Sequence, residues 1–404
     1  MIKRALRSLI FGDERRATPR VSYFPAERVN SKLESPRVAL GFVPLTDAAP
    51  LIVAAERGYF AAEGLAVELW RETSWASIRD KLAAGALDGA QTLAPLPLAM
   101  HLGLTPARTP MCVPLLLDRN GNAFTVSRSL YRRMQILAPE EAGVRSRSGH
   151  ALRAAAREAL AAGRPLRFAT VFPHSTHTYL LRHWLDRYQV PAQAIELSVV
   201  PPPLMVEQLA AGRIDGFIVG APWHTLAVQS GLGRIVAAST DILPGHPEKA
   251  FAVRRSFAVS YPRTLLALTR ALLRACLWLD DPEHRAAAAG LISARRYVHA
   301  PIECLRIGLE DRLLAATGET PQVCAGFHVF HRGGANCPDP REVSWYLREM
   351  MRWGEIDAAL DAERLAADVF RPSLYFTALR TLNSPQSRFA DVRSSEALLP
   401  RPAA

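Results

Sequence analysis

The sequence predicts an α/β protein of two lobes with a cleft between them, and three observations carry that expectation. The first is size and make-up: 404 residues, 49% hydrophobic and 22% charged, exceed what one core ordinarily organises and have the balance of a globular chain. The second is an internal duplication. Residues 80–91 read DKLAAGALDGAQ and residues 207–218 read EQLAAGRIDGFI; each is a helix end closed by Gly85 or Gly212, then a turn through Asp88-Gly89 or Asp215-Gly216 into a short apolar strand. The third is the shared order of elements upstream of each copy. Strand, helix, strand, helix, strand, repeated twice, implies two parallel α/β lobes.

The elements follow in order. Residues 1–37 are a polar N-terminal arm, expected to be disordered. The first lobe spans 38–130 and opens with the strand VALGFVP, the helix TDAAPLIVAAERGYFAAEG capped by Thr46 or Asp47, and the strand LAVELWR. Residues 131–165 read as an insertion, a mobile Arg/Ser turn and an Ala-rich helix decorating the first lobe. The second lobe spans 166–260, with LRFATVFP, HSTHTYLLRHWLDRYQ and AIELSVVPPP in the same roles. A helical C-terminal part, 261–383, completes the lobes, with Leu265, Leu268, Leu272, Leu273 and Leu277 at helical spacing. Residues 384–404 read as a disordered tail.

In parallel α/β sheets the ligand site lies beyond the carboxyl ends of the strands. Here the post-strand loops are 44–47 and 173–178, and each opens a helix whose unpaired N–H groups and dipole favour an anion. Two such N-termini facing one cleft make a small anion site. The competing reading is that their hydroxyls only cap helices.

Charge and composition exclude other classes. The formal charge of +11 suggests nucleic acid, but just four of the 49 basic residues are lysines (Lys3, Lys32, Lys81, Lys249), and the polar arm alone supplies nine basic against four acidic residues. The remainder is scattered, so no direct nucleic-acid binding is expected. Arg270, Arg274 and Asp280 interrupt the oiliest segment, which falls short of the roughly eighteen apolar residues of a membrane helix. After Leu9-Ile10-Phe11 the chain turns polar, so no export signal is visible and a cytoplasmic location is expected. Five cysteines with no C-x-x-C suggest neither a disulfide framework nor a thiolate zinc site.

Several ordered motifs, between about Val38 and Tyr375, carry a resemblance: GFVPLTDAAPLIVAAERGYFAAEGLAVEL, SWASIRDKLAAGALDGA, NGNAFTVS, FPHSTHTYLLRHWL, VPPPLMVEQLAAGRIDGFIVGAPW, HPEKAF, FHRGGANCP and MMRWG. Together they resemble the nitrate/bicarbonate-binding family of substrate-binding proteins. That resemblance implies the type II periplasmic binding-protein fold. It also implies one of two roles. Exported members feed an ABC transporter; a cytoplasmic branch senses nitrate and nitrite, holding an RNA-binding antitermination regulator with an ANTAR domain and releasing it when the anion binds. The wordings NGNAFTVS, FPHSTHTYLLR and RPSLY resemble the second branch.

By motif, the family's anion pocket maps onto Trp75, Asn122, His177 and Lys249, with Thr46, Ser175, Thr176 and Pro222 beside them. Nitrate is planar and singly charged with three acceptor oxygens, so it needs donors in a partly dry slot and one balancing charge. Lys249 offers the charge, and the Asn122 amide, Trp75 indole and His177 imidazole offer donors. Read singly, each has a blander role: a packing tryptophan, a turn asparagine beside Gly121, a helix-start histidine, a solvated lysine. His328 and His331 stand at i, i+3 without an acidic or cysteine partner in metal spacing, so no metal or cofactor is expected.

Two departures from the family pattern matter. Gly220-Ala221-Pro222-Trp223 replaces the usual GEPW, removing a carboxylate near the cleft and favouring a bare anion over a metal-paired one. Asn336-Cys337-Pro338-Asp339-Pro340-Arg341 replaces NFPWRS. No nucleophile with an adjacent base, phosphate loop or carboxylate pair stands in either post-strand loop, so an enzyme is not expected.

Overall fold

The computed structural model describes residues 20–23 and 32–382; the expected tail and most of the N-terminal arm lie outside the described residues. Fourteen strands are described: β1 (Arg20–Tyr23), β2 (Arg37–Phe42), β3 (Ala66–Arg71), β4 (Gly89–Leu93), β5 (Met111–Asn120), β6 (Asn122–Ser127), β7 (Leu166–Thr170), β8 (Ile195–Val199), β9 (Gly216–Gly220), β10 (Gly233–Ala238), β11 (Pro247–Arg254), β12 (Arg312–Leu313), β13 (Gln322–Val323) and β14 (His328–Val329). Two sheets organise twelve of them, and β12 and β13 pair as a separate two-stranded ribbon. One sheet runs β1-β3-β2-β4-β11-β5-β14, the other β10-β6-β9-β7-β8.

The duplicated segments form the parallel part of each sheet: β3-β2-β4 in the first lobe, β8-β7-β9 in the second. Each carries its helix between strands, as the pattern requires. The remaining strands pair antiparallel. β11 lies between β4 and β5, and β6 lies between β9 and β10.

This topology corrects the segment boundaries. The chain leaves the first lobe at Gly121, so β6 belongs to the second sheet although it falls within 38–130; it returns after β10, so β11 belongs to the first sheet although it falls within 166–260. Gly121 has φ +83, and a Cβ there would stand 2.4 Å from the His328 ring, so the first crossing needs glycine on both counts. Residues 20–23, placed in a disordered arm, form β1 and pair with β3. The insertion also sits elsewhere than expected. Helices Arg128–Leu137 and Ser148–Ala161 follow directly from β6 and bury Leu130, Met134, Leu152 and Ala155 against Phe124, Phe168 and Trp184 of the second lobe.

Helices Ala49–Glu56, Pro262–Asp280 and Pro282–Ile292 cover one face of the first sheet. A further apolar cluster joins the lobes, holding Trp75 and Leu45 from the first with Tyr179, Phe217 and Trp223 from the second. Backbone closes over it. The Thr46 N–H donates to the Ala221 carbonyl at 2.8 Å, and the Trp223 indole N–H donates to the Pro44 carbonyl at 2.9 Å.

Candidate functional site

Where the two sheets meet, polar side chains converge with no exposed surface. β11 supplies two of them from consecutive residues. In a regular strand Glu248 and Lys249 would face opposite sides. Here the register against β5 steps from Pro247↔Arg119 to Lys249↔Asp118, leaving Glu248 as the extra residue of a bulge, which lets both side chains reach one place. The Lys249 Nζ lies 2.5 Å from Glu248 Oε1 and 2.9 Å from Asp47 Oδ2, and 5.5 Å from the centre of the Trp75 ring.

Each lobe then adds its part. From the first, the Gln91 amide donates to Asp47 Oδ1 at 2.5 Å, and its carbonyl oxygen accepts the Val43 N–H at 3.0 Å, so the Asp47 carboxylate is held by a side chain that is itself held. From the second, the Asn122 amide donates to Glu248 Oε2 at 2.6 Å. His246 Nε2 stands 3.4 Å from the same oxygen, and His177 Nδ1 stands 3.8 Å from Oε1, too far for a hydrogen bond. Gly220 ends β9 against this group; a Cβ there would lie 3.3 Å from both Asn122 Oδ1 and Asp47 Oδ2.

Burial dominates the electrostatics. It pushes the Asp47 carboxyl up to about 6 even with Lys249 beside it, and pushes His177 down to about 3, so that imidazole is neutral. For Glu248 burial acts upward too, but Lys249 in contact outweighs it and holds the carboxyl below the usual range. Lys249 is raised, because Asp47 and Glu248 overcome the desolvation of its ammonium group.

Buried polar atoms are ordinarily hydrogen-bonded. Among the described residues, Trp75 Nε1, Thr46 Oγ1, Asn122 Oδ1 and both ring nitrogens of His177 have no hydrogen-bond partner. Three donors are available among those five atoms: the Trp75 indole N–H, the Thr46 hydroxyl and the single N–H of the neutral His177 ring. Such a group beside a buried cation is suited to hold a small polar solute with several acceptor oxygens.

The sequence profile of the NMT1-like family matches residues 31–293. The chain belongs to the NMT1-like family. Among its relatives is the nitrate import ATP-binding protein NrtC of Synechocystis sp. PCC 6803, 37% identical over 373 residues, which cover 90% of this chain and 53% of that protein. The chain therefore spans about half the length of that relative. The nitrate/nitrite binding protein NrtA of Synechococcus elongatus PCC 7942 is 31% identical over 359 residues, 86% of this chain and 79% of that one. The crystal structure of the periplasmic nitrate-binding protein NrtA from Synechocystis PCC 6803 superposes with a TM-score of 0.79 at 28% identity, covering 90% of this chain and 92% of the other. This NMT1-like chain thus has the two-lobe α/β fold of periplasmic binding proteins.

Of the residues singled out from this NMT1-like sequence, Trp75, Asn122, His177 and Lys249 meet in the cluster, two from each sheet's side. The neighbours fare differently. Thr46 stands beside Asp47, its N–H engaged by Ala221 and its hydroxyl unpaired. Ser175 Oγ accepts the Thr178 N–H at 3.1 Å, so it caps its helix. The Thr176 hydroxyl donates to Tyr346 Oη at 3.4 Å. Pro222 follows a cis peptide and begins the helix Trp223–Gln229. The expected pair of free helix N-termini is thus partly satisfied by protein. Nor does Asp47 cap a helix; it pairs with Lys249.

Sequence reasoning missed Asp47, Gln91, His246 and Glu248. The loss of a carboxylate at Ala221 does not leave the cluster free of acids, because Asp47 and Glu248 line it. Glu248 adjoins Lys249 in HPEK, but a regular strand would turn the two side chains to opposite faces, so adjacency gave no signal. The histidines weighed as metal ligands have other partners: His328 Nδ1 is 2.7 Å from Asp118 Oδ2 and His331 Nδ1 is 2.7 Å from Asn336 Oδ1. Asn336 also donates to the Leu116 carbonyl at 2.8 Å, a structural tie within the departed motif.

Proposed function

We propose that the protein closes its two lobes on nitrate or nitrite at the Lys249 cluster. The observation carrying this reading is the set of buried, unpaired donors on Trp75, His177 and Thr46 around a buried lysine, in a chain whose relatives include nitrate-binding proteins. Bicarbonate, a second planar anion, is the competing ligand. Calorimetric titration of the purified protein with sodium nitrate, sodium nitrite and bicarbonate tests this. Binding of bicarbonate alone at millimolar concentration would overturn the assignment.

The finer role proposed is that of a cytoplasmic sensor, holding an ANTAR-domain antiterminator in the open form and releasing it as the anion draws the lobes together. Its support is the likeness of NGNAFTVS, FPHSTHTYLLR and RPSLY to the sensor branch. The alternative is a substrate-binding subunit of an ABC importer, favoured by the relatives named for nitrate import. Deletion of the gene separates the two. Constitutive nitrate-assimilation genes support the sensor, whereas lost nitrate uptake under normal gene control supports the importer.

A further inference from the structure

A charge count in the cluster leads beyond that reading and rests on it. Lys249 is one positive charge, Asp47 and Glu248 are two negative ones, and all three side chains are buried. A nitrate added to this arrangement would bring a second uncompensated negative charge into a site closed to water, which is strongly unfavourable. Geometry adds a second conflict. Asp47 Oδ2 and Asn122 Oδ1 both lie 3.3 Å from the Cβ position of Gly220. Both are acceptors, and nitrate presents only acceptors.

We propose that Asp47 takes up one proton from solvent as nitrate enters, so that anion and proton bind together: the carboxyl becomes a donor to the anion, and Lys249 turns from Asp47 towards it. Glu248 is the wrong carboxylate for this role. It keeps the Asn122 amide at 2.6 Å and Lys249 at 2.5 Å, with His246 and His177 also facing it. Asp47 is bonded by Lys249 and by the neutral Gln91, and faces further acids, Asp118 on β5 and Glu248 on β11, with His328 of β14 also within electrostatic range. Burial already raises its carboxyl to about 6, within reach of a proton near neutrality.

The ligand class follows from the same geometry. Bicarbonate carries its own hydroxyl, which can donate to an ionised Asp47 and so relieves the acceptor conflict, although it brings the same charge. Nitrate has no hydrogen to donate, so for nitrate the proton on Asp47 removes both conflicts.

Calorimetry of the full chain with sodium nitrate, at one neutral pH in two buffers of different ionisation enthalpy, is the test. The apparent enthalpies should differ by the amount corresponding to about one proton taken up per nitrate, and affinity should weaken about tenfold per pH unit above the carboxyl's range. Asp47→Asn, which supplies a permanent donor, should bind nitrate with no buffer dependence and a flat pH profile. Equal wild-type enthalpies in both buffers, with affinity independent of pH, would overturn the proton uptake and leave nitrate binding intact. Absence of nitrate binding at any pH overturns both. The wild-type comparison needs no variant, so a misfolded Asp47→Asn does not decide the outcome.

Discussion

Lys249 sits between two carboxylates in a fully buried site, and that arrangement sets the cost of removing it. Lys249→Met keeps the stem but leaves Asp47 and Glu248 without their cation, so stability should fall by about 3–5 kcal/mol, read by urea unfolding near neutral pH. Acidification should partly restore it, since protonated Asp47 no longer needs the cation. In the wild type the folded carboxyl of Asp47, raised from 3.8 to about 6, binds its proton more tightly than the unfolded one. Its contribution is therefore full below about pH 4 and declines as pH rises to about 6. Unfolding free energies of wild type and Asp47→Asn should diverge across that window, the wild type losing ground as pH rises. The motif match singled out Lys249 but not the two carboxylates beside it. An aspartate three residues past Pro44 at a helix start reads as a cap, and Glu248 reads as pointing away from Lys249 because a regular strand would send it there; a bulge leaves no mark in so short a motif.

Among the elements, the helix Pro340–Arg352 reaches across to the helix Thr176–Arg187 of the second lobe. Just beyond it, Glu355 accepts the Tyr179 hydroxyl at 2.6 Å and the Arg182 guanidinium at 2.7 Å, with His174 Nδ1 at 3.2 Å. Burial raises that carboxyl, but His174, Tyr179 and Arg182 outweigh it and hold it at about 2. A carboxyl depressed on folding stabilises above its unfolded value and ceases to as pH falls through the folded one. Glu355→Gln should thus cost about 1–2 kcal/mol at neutral pH, discounted for partial solvent screening, and the difference from wild type should shrink between about pH 4.5 and 2. Gly121→Ala is the corresponding probe of the first crossing. Its positive φ alone costs about 1–3 kcal/mol, before the clash with His328, and a lowered melting temperature should show it.

At the scale of the whole molecule, the duplicated strand-helix-strand pattern predicts the parallel part of each sheet, because apolar period and turn chemistry are local. The crossings are not local. β6 and β11 look like any short apolar strand, and which sheet receives them depends on contacts made by residues far apart in the chain. The insertion follows the same rule: its Ala-rich helix announces a buried stripe without saying which lobe covers it. Binding itself is testable. Nitrate at one hundred times its dissociation constant should stabilise the protein by about 2.7 kcal/mol, seen as a rise in melting temperature that depends on nitrate concentration. If the sensor role holds, coupling is reciprocal, and a bound antiterminator should weaken nitrate binding by the same factor by which nitrate weakens the antiterminator.

Both crossings end on the candidate site. Asn122 is the first residue after Gly121, and Glu248 and Lys249 stand at the start of β11, where the chain comes back. A solute held there occupies the fulcrum of the two lobes. Rotation about a fulcrum displaces atoms near it by little and atoms at the far rims by much, so an ion a few ångströms wide can be gripped by small adjustments while the rims swing apart or together. A protein that spans both rims would feel that swing as a long lever feels its pivot turn, without touching the ion at all.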